Sequence, residues 1–448
     1  MGIARFLAVA LALGLFASAA HSDNVLPPAP EELGVIRRNE NGRLEAVRTS
    51  PSAHSPSAQE ADGPAAARDE SAAGKARERK APSAVASSRT LVVGPREQIR
   101  SIQEAARIAR DGDTIEIMPG EYRQQSIVWT QGRVTIRGVG KRPLLIADGD
   151  SAQGKALWVV RNADMLIENI EFRGVRVPDG NGAGIRFEKG HLRVVGCAFF
   201  DNEMGILTGN DVDAVLEVED SEFGAAPKHA GSLHHLLYAG TIARLSVRGS
   251  RFQQGFLGHL IKSRARESSI LYNLIVDGAG SRASYELEFP NGGLAWVIGN
   301  IIGQSATTDN RDLISYGAEG PHWPDNALYL AHNTLVDDRL GGRFLHVWSD
   351  RMPSGTEVWT INNLLVGHGG FSPQAPGRHD GNEEVDGSML IGPEGLQFRL
   401  PSNSPLRGKA RPAGFVRQRS LVPVAEFTLP AGTRSLVAGK PLSAGALQ

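Results

Sequence analysis

A short repeated pattern in the middle of this 448-residue chain constrains its fold more than any other feature. Nine segments share the pattern, from residues 134–138 to residues 359–363: alternating apolar positions are followed by Gly, Asn or Asp. The fifth position advances from 138 to 363 in eight steps, a period of about 28 residues. Such a period predicts a solenoid, in which each coil packs only against its neighbours.

The residue types at two positions of the repeat indicate how a coil is built. Gly, Asn and Asp tolerate a left-handed backbone at a turn, and stacked Asn side chains can form a hydrogen-bonded ladder. An apolar residue recurs three positions later, which predicts an apolar stack inside the coils: Phe172, Phe199, Phe223, Phe252, Val276, Val336 and Val366. We therefore expect short parallel strands with adjacent coils about 4.8 Å apart. A leucine-rich repeat is the alternative, but it needs a shorter period and a denser Leu pattern.

The chain before and after the repeat predicts further segments. In residues 1–22, Arg5 precedes an apolar run and small residues, as in a secretory signal peptide, so we expect a periplasmic or secreted protein. An uncleaved anchor is the alternative, although the run is short for a membrane span. Residues 23–89 are rich in Ala, Ser, Pro and charge, which predicts a disordered linker. The solenoid is expected over residues 90–411, opened by a helix at about 96–110, and a capping tail over 412–448.

Composition narrows the classes of function. The chain has 48 basic and 49 acidic residues, and this balance argues against a general nucleic-acid binder. The single cysteine, Cys197, excludes an internal disulfide and a thiolate metal cluster. The spacing of the His residues does not predict a metal site. Calcium remains an option through Glu286, Glu288 and a loop carboxylate, since oxygen ligands suffice for it.

The start of the ordered region resembles a known family. Residues 101–106 (SIQEAA), 112–115 (GDTI) and 119–122 (PGEY), followed by coils with Asn turns, resemble the right-handed parallel β-helix proteins of the pectate-lyase type. The resemblance covers about Leu91 to Ala410. It implies an all-β, single-stranded right-handed parallel β-helix with an N-terminal capping helix. Because this superfamily contains lyases, hydrolases, epimerases and non-catalytic binding proteins, the resemblance does not select a reaction.

Residues 258–293 are the part of the repeat richest in chemically active side chains. If Ile261 faces inward, Lys262 and Arg264 face outward, and residues one repeat before and after them stack alongside. The predicted catalytic residues are Lys262, Arg264 and Tyr285. The predicted substrate-binding residues are Tyr238, His259, Arg266, Glu286, Glu288, Asn291 and Tyr316. The central coils, at about residues 233–322, are therefore expected to bind an acidic polysaccharide, and we expect a monomer.

The segment is similar to the catalytic coil of alginate lyases and chondroitinase B, which carry an outward Lys between an apolar residue and Ser. The arginine that these lyases carry on the following coil is not matched, and Arg264 would replace it from the same strand. Elimination from a uronate needs a cation to neutralise the carboxylate, a base for the C5 proton and an acid for the leaving oxygen. The resemblance implies Arg264, Lys262 and Tyr285 or Tyr238 in these three roles, for a lyase or an epimerase.

Two alternative functions remain open at this level. Lys262 and Glu288 could be an ordinary cross-strand charge pair on a solvated face, in a non-catalytic glycan-binding or envelope structural protein. A polysaccharide hydrolase would use clustered Asp residues with a Gly-His-Gly element. Asp309, Asp337 and His368 supply these residue types, but their different phases within the repeat argue against one column.

Overall fold

The computed structural model describes residues 36–38, 44–46, 89–161, 163–229, 233–278 and 280–448. The chain divides into two compact units, residues 1–80 and 81–448. In the first unit, Ile36–Arg38 and Leu44–Ala46 form an antiparallel pair of strands. The predicted signal peptide lies outside the described residues, as does the predicted linker apart from these two strands and Arg89. Within the described ranges, no helix is long and apolar enough to cross a membrane.

The second unit is a parallel β-solenoid, which confirms the predicted fold class. From Thr114 to Val347, the chain passes in each coil through a strand of the first sheet, then the second, then the third, and neighbouring coils pair in parallel. The first sheet has 12 strands: Thr90–Val93, Thr114–Ile117, Arg133–Gly138, Ala163–Glu168, Gly190–Val195, Val215–Glu219, Arg244–Arg248, Glu267–Leu271, Leu294–Ile298, Ala327–Ala331, Glu357–Ile361 and His379–Asp380.

The second and third sheets complete the coils. The second has 11 strands: Glu121–Arg123, Leu144–Ile146, Glu171–Arg173, Ala198–Phe200, Glu222–Gly224, Arg251–Phe252, Leu274–Val276, Ile301–Gln304, Thr334–Asp337, Leu364–Gly367 and Glu383–Val385. The third has 9 strands: Ile127–Trp129, Ala156–Val160, Ala183–Phe187, Met204–Thr208, Leu237–Ala239, Ile261–Ser263, Leu287–Phe289, Asp312–Tyr316 and Arg343–Val347.

The one α-helix among the described residues, Ile102–Ile108, packs near the first strands of the first and third sheets. It is shorter than the predicted span of 96–110. Ser101 has an extended backbone, and its hydroxyl accepts a hydrogen bond from the Glu104 amide at 3.1 Å. This N-cap starts the helix, because it satisfies one of the amide groups that have no partner within the first turn.

The turn between the first and second sheets uses two consecutive residues. The first of the two has a left-handed backbone, with φ of +61° at Gly249 and +55° at Tyr272. The second forms a ladder through five coils, in which each amide nitrogen donates to the next amide oxygen at 2.8–3.0 Å: Asn273, Asn300, Asn333, Asn363 and Asn382. The predicted Asn ladder is present because an Asn side chain carries both a donor and an acceptor.

The register of the repeated pattern against the turn changes by one residue between Gly249 and Asn273. The fifth position of the pattern is the left-handed residue from Asn169 to Gly249 and the ladder residue from Asn273 onward. The Phe stack, with ring centroids 4.5–5.1 Å apart, is therefore continued by Ile275, Ile302, Leu335 and Leu365. The prediction that Val276, Val336 and Val366 continue it is wrong, because a shift of one residue moves a side chain to the other face of a strand.

The segment after Val385 lies against the sides of the coils. It contains two short 3-10 helices, Gly387–Met389 and Pro393–Gly395, and two antiparallel hairpins, Phe415–Val416 with Arg419–Ser420 and Ala425–Phe427 with Thr433–Ser435. Its apolar residues pack on Val276, Val336 and Val366 of the second sheet and on Trp296 and Tyr329 of the first sheet. The predicted capping tail thus covers apolar groups on the outer faces of the first two sheets.

Candidate active site on the third sheet

One row of side chains on the outer face of the third sheet carries most of the predicted site. The register pairs Tyr238 with Lys262, and Lys262 with Glu288. The residues one position earlier, Ile261 and Leu287, belong to the core. Since side chains alternate along a strand, Lys262 and Glu288 point to the opposite, outer side. The sequence therefore places these three residues in adjacent coils, as the structure does.

Five charged or titratable side chains meet there, and we call them the open cluster: His259, Lys262, Arg264, Glu288 and Glu319. Lys262 Nζ lies 3.2 Å from Glu288 Oε2 and 3.6 Å from Glu319 Oε1. His259 Nε2 lies 2.8 Å from Glu288 Oε2, a close contact without the alignment of a hydrogen bond. The side chains of Lys262 and Glu288 are only 3% and 5% exposed, so this pair is shielded from bulk water.

Arg264 is held on several sides. Its Nη1 and Nη2 atoms contact the two carboxylate oxygens of Glu319 at 2.5 and 2.8 Å. Its Nε donates to the Tyr238 hydroxyl at 2.8 Å, and Nη1 also donates to the side-chain oxygen of Asn291. The guanidinium is therefore fixed in position, and the pKa of Arg264 is raised because the contacts with Glu319 and Tyr238 outweigh its burial.

A second row, made of aromatic rings, borders the open cluster. The His259 ring lies 4.6 Å from that of His235 and 5.0 Å from that of Tyr285. His235 Nδ1 accepts a hydrogen bond from the His259 amide at 2.9 Å, which requires an unprotonated nitrogen. Burial lowers the pKa of both histidines, so both rings favour the neutral form.

Two acidic groups of this face, Glu288 and Tyr285, have pKa values far from those of free carboxyl and phenol groups. Burial alone would raise the pKa of Glu288, but His259 and Lys262 outweigh it and lower that pKa to about 2. Burial and the nearby Glu288 raise the pKa of Tyr285 to about 12. Glu288 is therefore a carboxylate and Tyr285 a protonated phenol across the neutral pH range.

Three predicted substrate-binding residues do not join the open cluster. Tyr316 is fully buried, and its hydroxyl donates to the Gly293 carbonyl at 2.6 Å. Arg266 is exposed, with its guanidinium 5.8 Å from the centre of the Trp323 ring. Glu286 is also fully buried. The expectation that Glu286 would stack beside Lys262 is wrong, because the segment before Leu287–Phe289 does not keep the strict alternation of a strand.

Glu286 instead belongs to a group of buried acids between the second and third sheets, which we call the buried acid cluster: Asp277, Glu286 and Asp337, with Thr308. The Thr308 hydroxyl lies 3.2 Å from Asp277 Oδ2 and 3.5 Å from Glu286 Oε1. Burial, reinforced by the other two acids, raises the pKa of Glu286 well above its usual value. Burial likewise raises the pKa of Asp277 to about 6.

Glu286 and Glu288, the two residues considered as calcium ligands, do not lie in one site. Glu286 and Glu288 face different neighbours, so they do not form one ligand set. In the part of the chain that the structure describes, no three His, Cys, Asp or Glu residues are grouped to hold a metal ion.

Two residues that the structure brings into this region are not among the predicted catalytic and substrate-binding residues. Glu319 reaches the open cluster from the loop after the third-sheet strand Asp312–Tyr316, 55 residues from Arg264. His235 stacks on His259 one coil earlier. The spacing of His235 and His259 by nearly one repeat was the only available signal. No periodic pattern marks Glu319, because loop residues do not follow the repeat.

Comparison with known proteins supports the fold. The chain is similar to the pectate lyase Pel9A, with a TM-score of 0.54 and 11% identity over 75% of this chain and 94% of that chain. A PL6 family polysaccharide lyase from Pseudopedobacter saltans aligns with a TM-score of 0.33 and 13% identity, over 72% and 98% of the two chains. For a mutant of the PL6 family alginate lyase AlyGC the values are 0.32 and 15%, over 70% and 57%. The sequence matches no family model and no curated protein.

The likeness to Pel9A establishes a shared β-helix fold and nothing about the reaction. Proteins of one fold carry many chemistries, so function has to be argued from the site itself.

Proposed function

We propose that this protein acts on a uronate-containing polysaccharide by abstracting the C5 proton, as a lyase or an epimerase. The observation that carries the proposal is the pairing of two fixed cations, Lys262 and Arg264, with the neutral imidazole of His259 on one sheet face. Cations beside the uronate carboxylate stabilise the negative charge that develops when C5 loses its proton. The predicted signal peptide fits this proposal, because it would bring the protein to polysaccharides outside the cytoplasm.

The structure favours a different base from the one that the sequence resemblance implies. Lys262 lies within 3.6 Å of two carboxylates, and a paired ammonium group can donate a proton but cannot accept one. His259 has the properties of a base: its pKa is lowered by burial, and Glu288 is placed to stabilise the imidazolium that forms. We therefore assign the base to His259 and leave Lys262 and Arg264 to bind the carboxylate.

Tyr285 supplies the acid. In a lyase reaction the C5 proton passes to His259, a C4–C5 double bond forms and the C4–O bond breaks. The departing oxygen then takes the phenolic proton of Tyr285, whose ring lies 5.0 Å from that of His259. The raised pKa of Tyr285 keeps this proton in place until the oxygen leaves. An epimerase would instead return a proton to C5 from the opposite face of the sugar.

The hydrolase alternative needs a protonated carboxylic acid beside a carboxylate, and the open cluster does not offer one. The pKa of Glu288 is about 2, and Glu319 is bound by Arg264 through both oxygens. Asp309 is paired with Arg282 at 3.0 Å, whereas Asp337 is fully buried. These acids do not converge on one accessible point.

The test is turnover of alginate, pectate and glycosaminoglycans, followed by the ultraviolet absorbance of the unsaturated product and, for epimerisation, by NMR. We expect one polymer to be converted and His259→Ala to lower kcat by about a hundredfold or more. His191→Ala, on the first sheet, is the matched control and should retain wild-type activity. A folded protein that binds such a polymer without converting any would instead be a non-catalytic glycan-binding protein.

A further inference from the structure

The carboxylate of Glu319 lies where Arg264 is best placed to bind a carboxylate. Two nitrogens of the guanidinium meet its two oxygens, at 2.5 and 2.8 Å, and Lys262 Nζ lies 3.6 Å from one of them. This bidentate geometry is the arrangement in which arginine binds carboxylates most specifically. The remaining contacts of Arg264, to Tyr238 and Asn291, hold it there independently of Glu319. The subsite is therefore formed, and a side chain of the protein itself fills it.

Glu319 is the member of the open cluster that can leave most easily. Its side chain is 34% exposed, against 3% for Lys262 and 19% for Arg264. The backbone around it is held by bonds that do not involve its carboxylate: the Glu319 amide donates to the Pro290 carbonyl at 2.8 Å, and the Gly320 amide to the Gly317 carbonyl at 3.0 Å. The side chain can thus rotate into solvent while the loop stays in place.

If the Glu319 carboxylate leaves the open cluster, the charge balance of the cluster requires another anion in its place. Lys262 and Arg264 carry two positive charges, and Glu288 and Glu319 carry two negative charges. When the Glu319 carboxylate leaves, one largely buried positive charge loses its partner, which is costly. Another carboxylate restores the balance without a change in net charge.

We infer that Glu319 is an internal competitor of the substrate: it fills the carboxylate subsite of the ligand-free protein, and a uronate carboxylate binds Arg264 by displacing it. The inference rests on the proposed function for the class of ligand, an anionic sugar acid. The same inference predicts that the site distinguishes charged from neutral sugars. A neutral sugar, or a uronate whose carboxyl is methyl-esterified, cannot replace the lost charge and leaves Glu319 in place.

The test uses galacturonate and glucuronate, monosaccharides without a glycosidic bond to cleave, so that binding is measured apart from turnover. Titrations followed by NMR compare the wild-type protein, Glu319→Gln and Glu188→Gln. Glu188 is the matched control: it also pairs with a Lys and an Arg, each at 2.9 Å, near the third sheet but three coils before Arg264. Galactose and the methyl ester of galacturonate are the neutral probes.

We expect Glu319→Gln to bind the sugar acids at least about fivefold more tightly than the wild type, because a competing state has been removed. Glu188→Gln should match the wild type, and the neutral probes should bind none of the three proteins. A crystal of the wild-type protein soaked with galacturonate should show the sugar carboxylate on Arg264 and Glu319 turned away.

The inference is overturned if Glu319→Gln binds the sugar acids no more tightly than the wild type, if neither protein binds them, or if the soaked sugar leaves Glu319 on Arg264. Failure of the proposed function looks different. In that case galacturonate displaces Glu319 as expected, but no polyuronate is converted.

Discussion

Glu286 and Glu288 are two residues apart in the chain, yet they belong to clusters with opposite electrostatics. Glu288 lies beside His259 and Lys262 in the open cluster, and these neighbours hold its pKa at about 2. Glu286 lies beside Asp277 in the buried acid cluster, where burial and the other acids raise its pKa. Both residues are nearly inaccessible, since Glu288 is 4% exposed and Glu286 0%. Burial alone therefore does not decide the charge state of a carboxyl group; the sign of its neighbours does.

The comparison implies that only the open cluster takes part in catalysis, and the largest expected effect tests this. Arg264→Lys should lower kcat/KM by about a hundredfold, because an ammonium group cannot bind a carboxylate through two parallel hydrogen bonds. Glu286→Gln should leave kcat/KM within about twofold of the wild type. Steady-state kinetics on the active polymer measures both, with Arg161→Lys as a control. Equal losses in Arg264→Lys and Glu286→Gln would remove the distinction between the clusters.

The second effect concerns stability at neutral pH. Glu288→Gln should lower the free energy of unfolding by about 2–3 kcal/mol, because it leaves the buried Lys262 with only the more distant Glu319 as an anionic partner. Glu188→Gln removes a more exposed partner and should cost under about 1 kcal/mol. Denaturant unfolding at pH 7 checks both values. Similar losses of unfolding free energy in the two variants would show that the open cluster is no better shielded from water than the protein surface.

The third effect has the opposite sign. Glu286→Gln should raise the free energy of unfolding at pH 8 by about 1 kcal/mol, since Gln resembles the protonated acid that the buried cluster prefers. The folded-state pKa of Glu286 is raised, so its contribution is most favourable below the unfolded value of 4.5 and is lost as the pH rises toward the folded-state pKa. The gain from the substitution should therefore shrink toward pH 5. A gain that grows on acidification would reverse this assignment.

The smallest expected effect is the change with pH in the unfolding free energy that Glu288→Gln costs. The folded-state pKa of Glu288 is lowered, so its stabilising contribution is complete above the unfolded value of 4.5 and is lost only as the pH falls through about 2. The cost of Glu288→Gln should therefore change by less than about 0.5 kcal/mol between pH 6 and pH 8. Unfolding curves at several pH values measure it, and a strong slope in this range would mean that Glu288 titrates like an ordinary buried acid.

The repeat in the sequence predicted the fold because it records a local requirement of every coil. Each coil needs a turn residue that tolerates a left-handed backbone or joins the ladder, and an apolar residue that stacks on the coil before it. Both requirements recur about every 28 residues and are visible without a structure. The same alternation predicted that Lys262 lies beside Tyr238 and Glu288.

The repeat could not reveal where the alternation breaks. A pattern of Gly, Asn or Asp reads the same whether the residue is the left-handed one, as at Gly249, or the ladder residue next to it, as at Asn273. This ambiguity of one residue is enough to place Val276 on the wrong face. In the same way, Glu286 and Glu288 look equivalent in a strict alternation, but the strand begins only at Leu287.

The sequence by itself therefore determined the class of fold, the repeat length of about 28 residues and the strand that carries Lys262. The tertiary structure alone decided the electrostatics of the site. Arg264 meets Glu319 across 55 residues, and Glu286 meets Asp277 and Thr308 at the junction of two sheets. Such contacts depend on loop paths and on where the alternation of a strand begins or breaks, and neither is recorded in a periodic pattern. The charge of a buried group depends on these neighbours, because the interior screens them far less than water does.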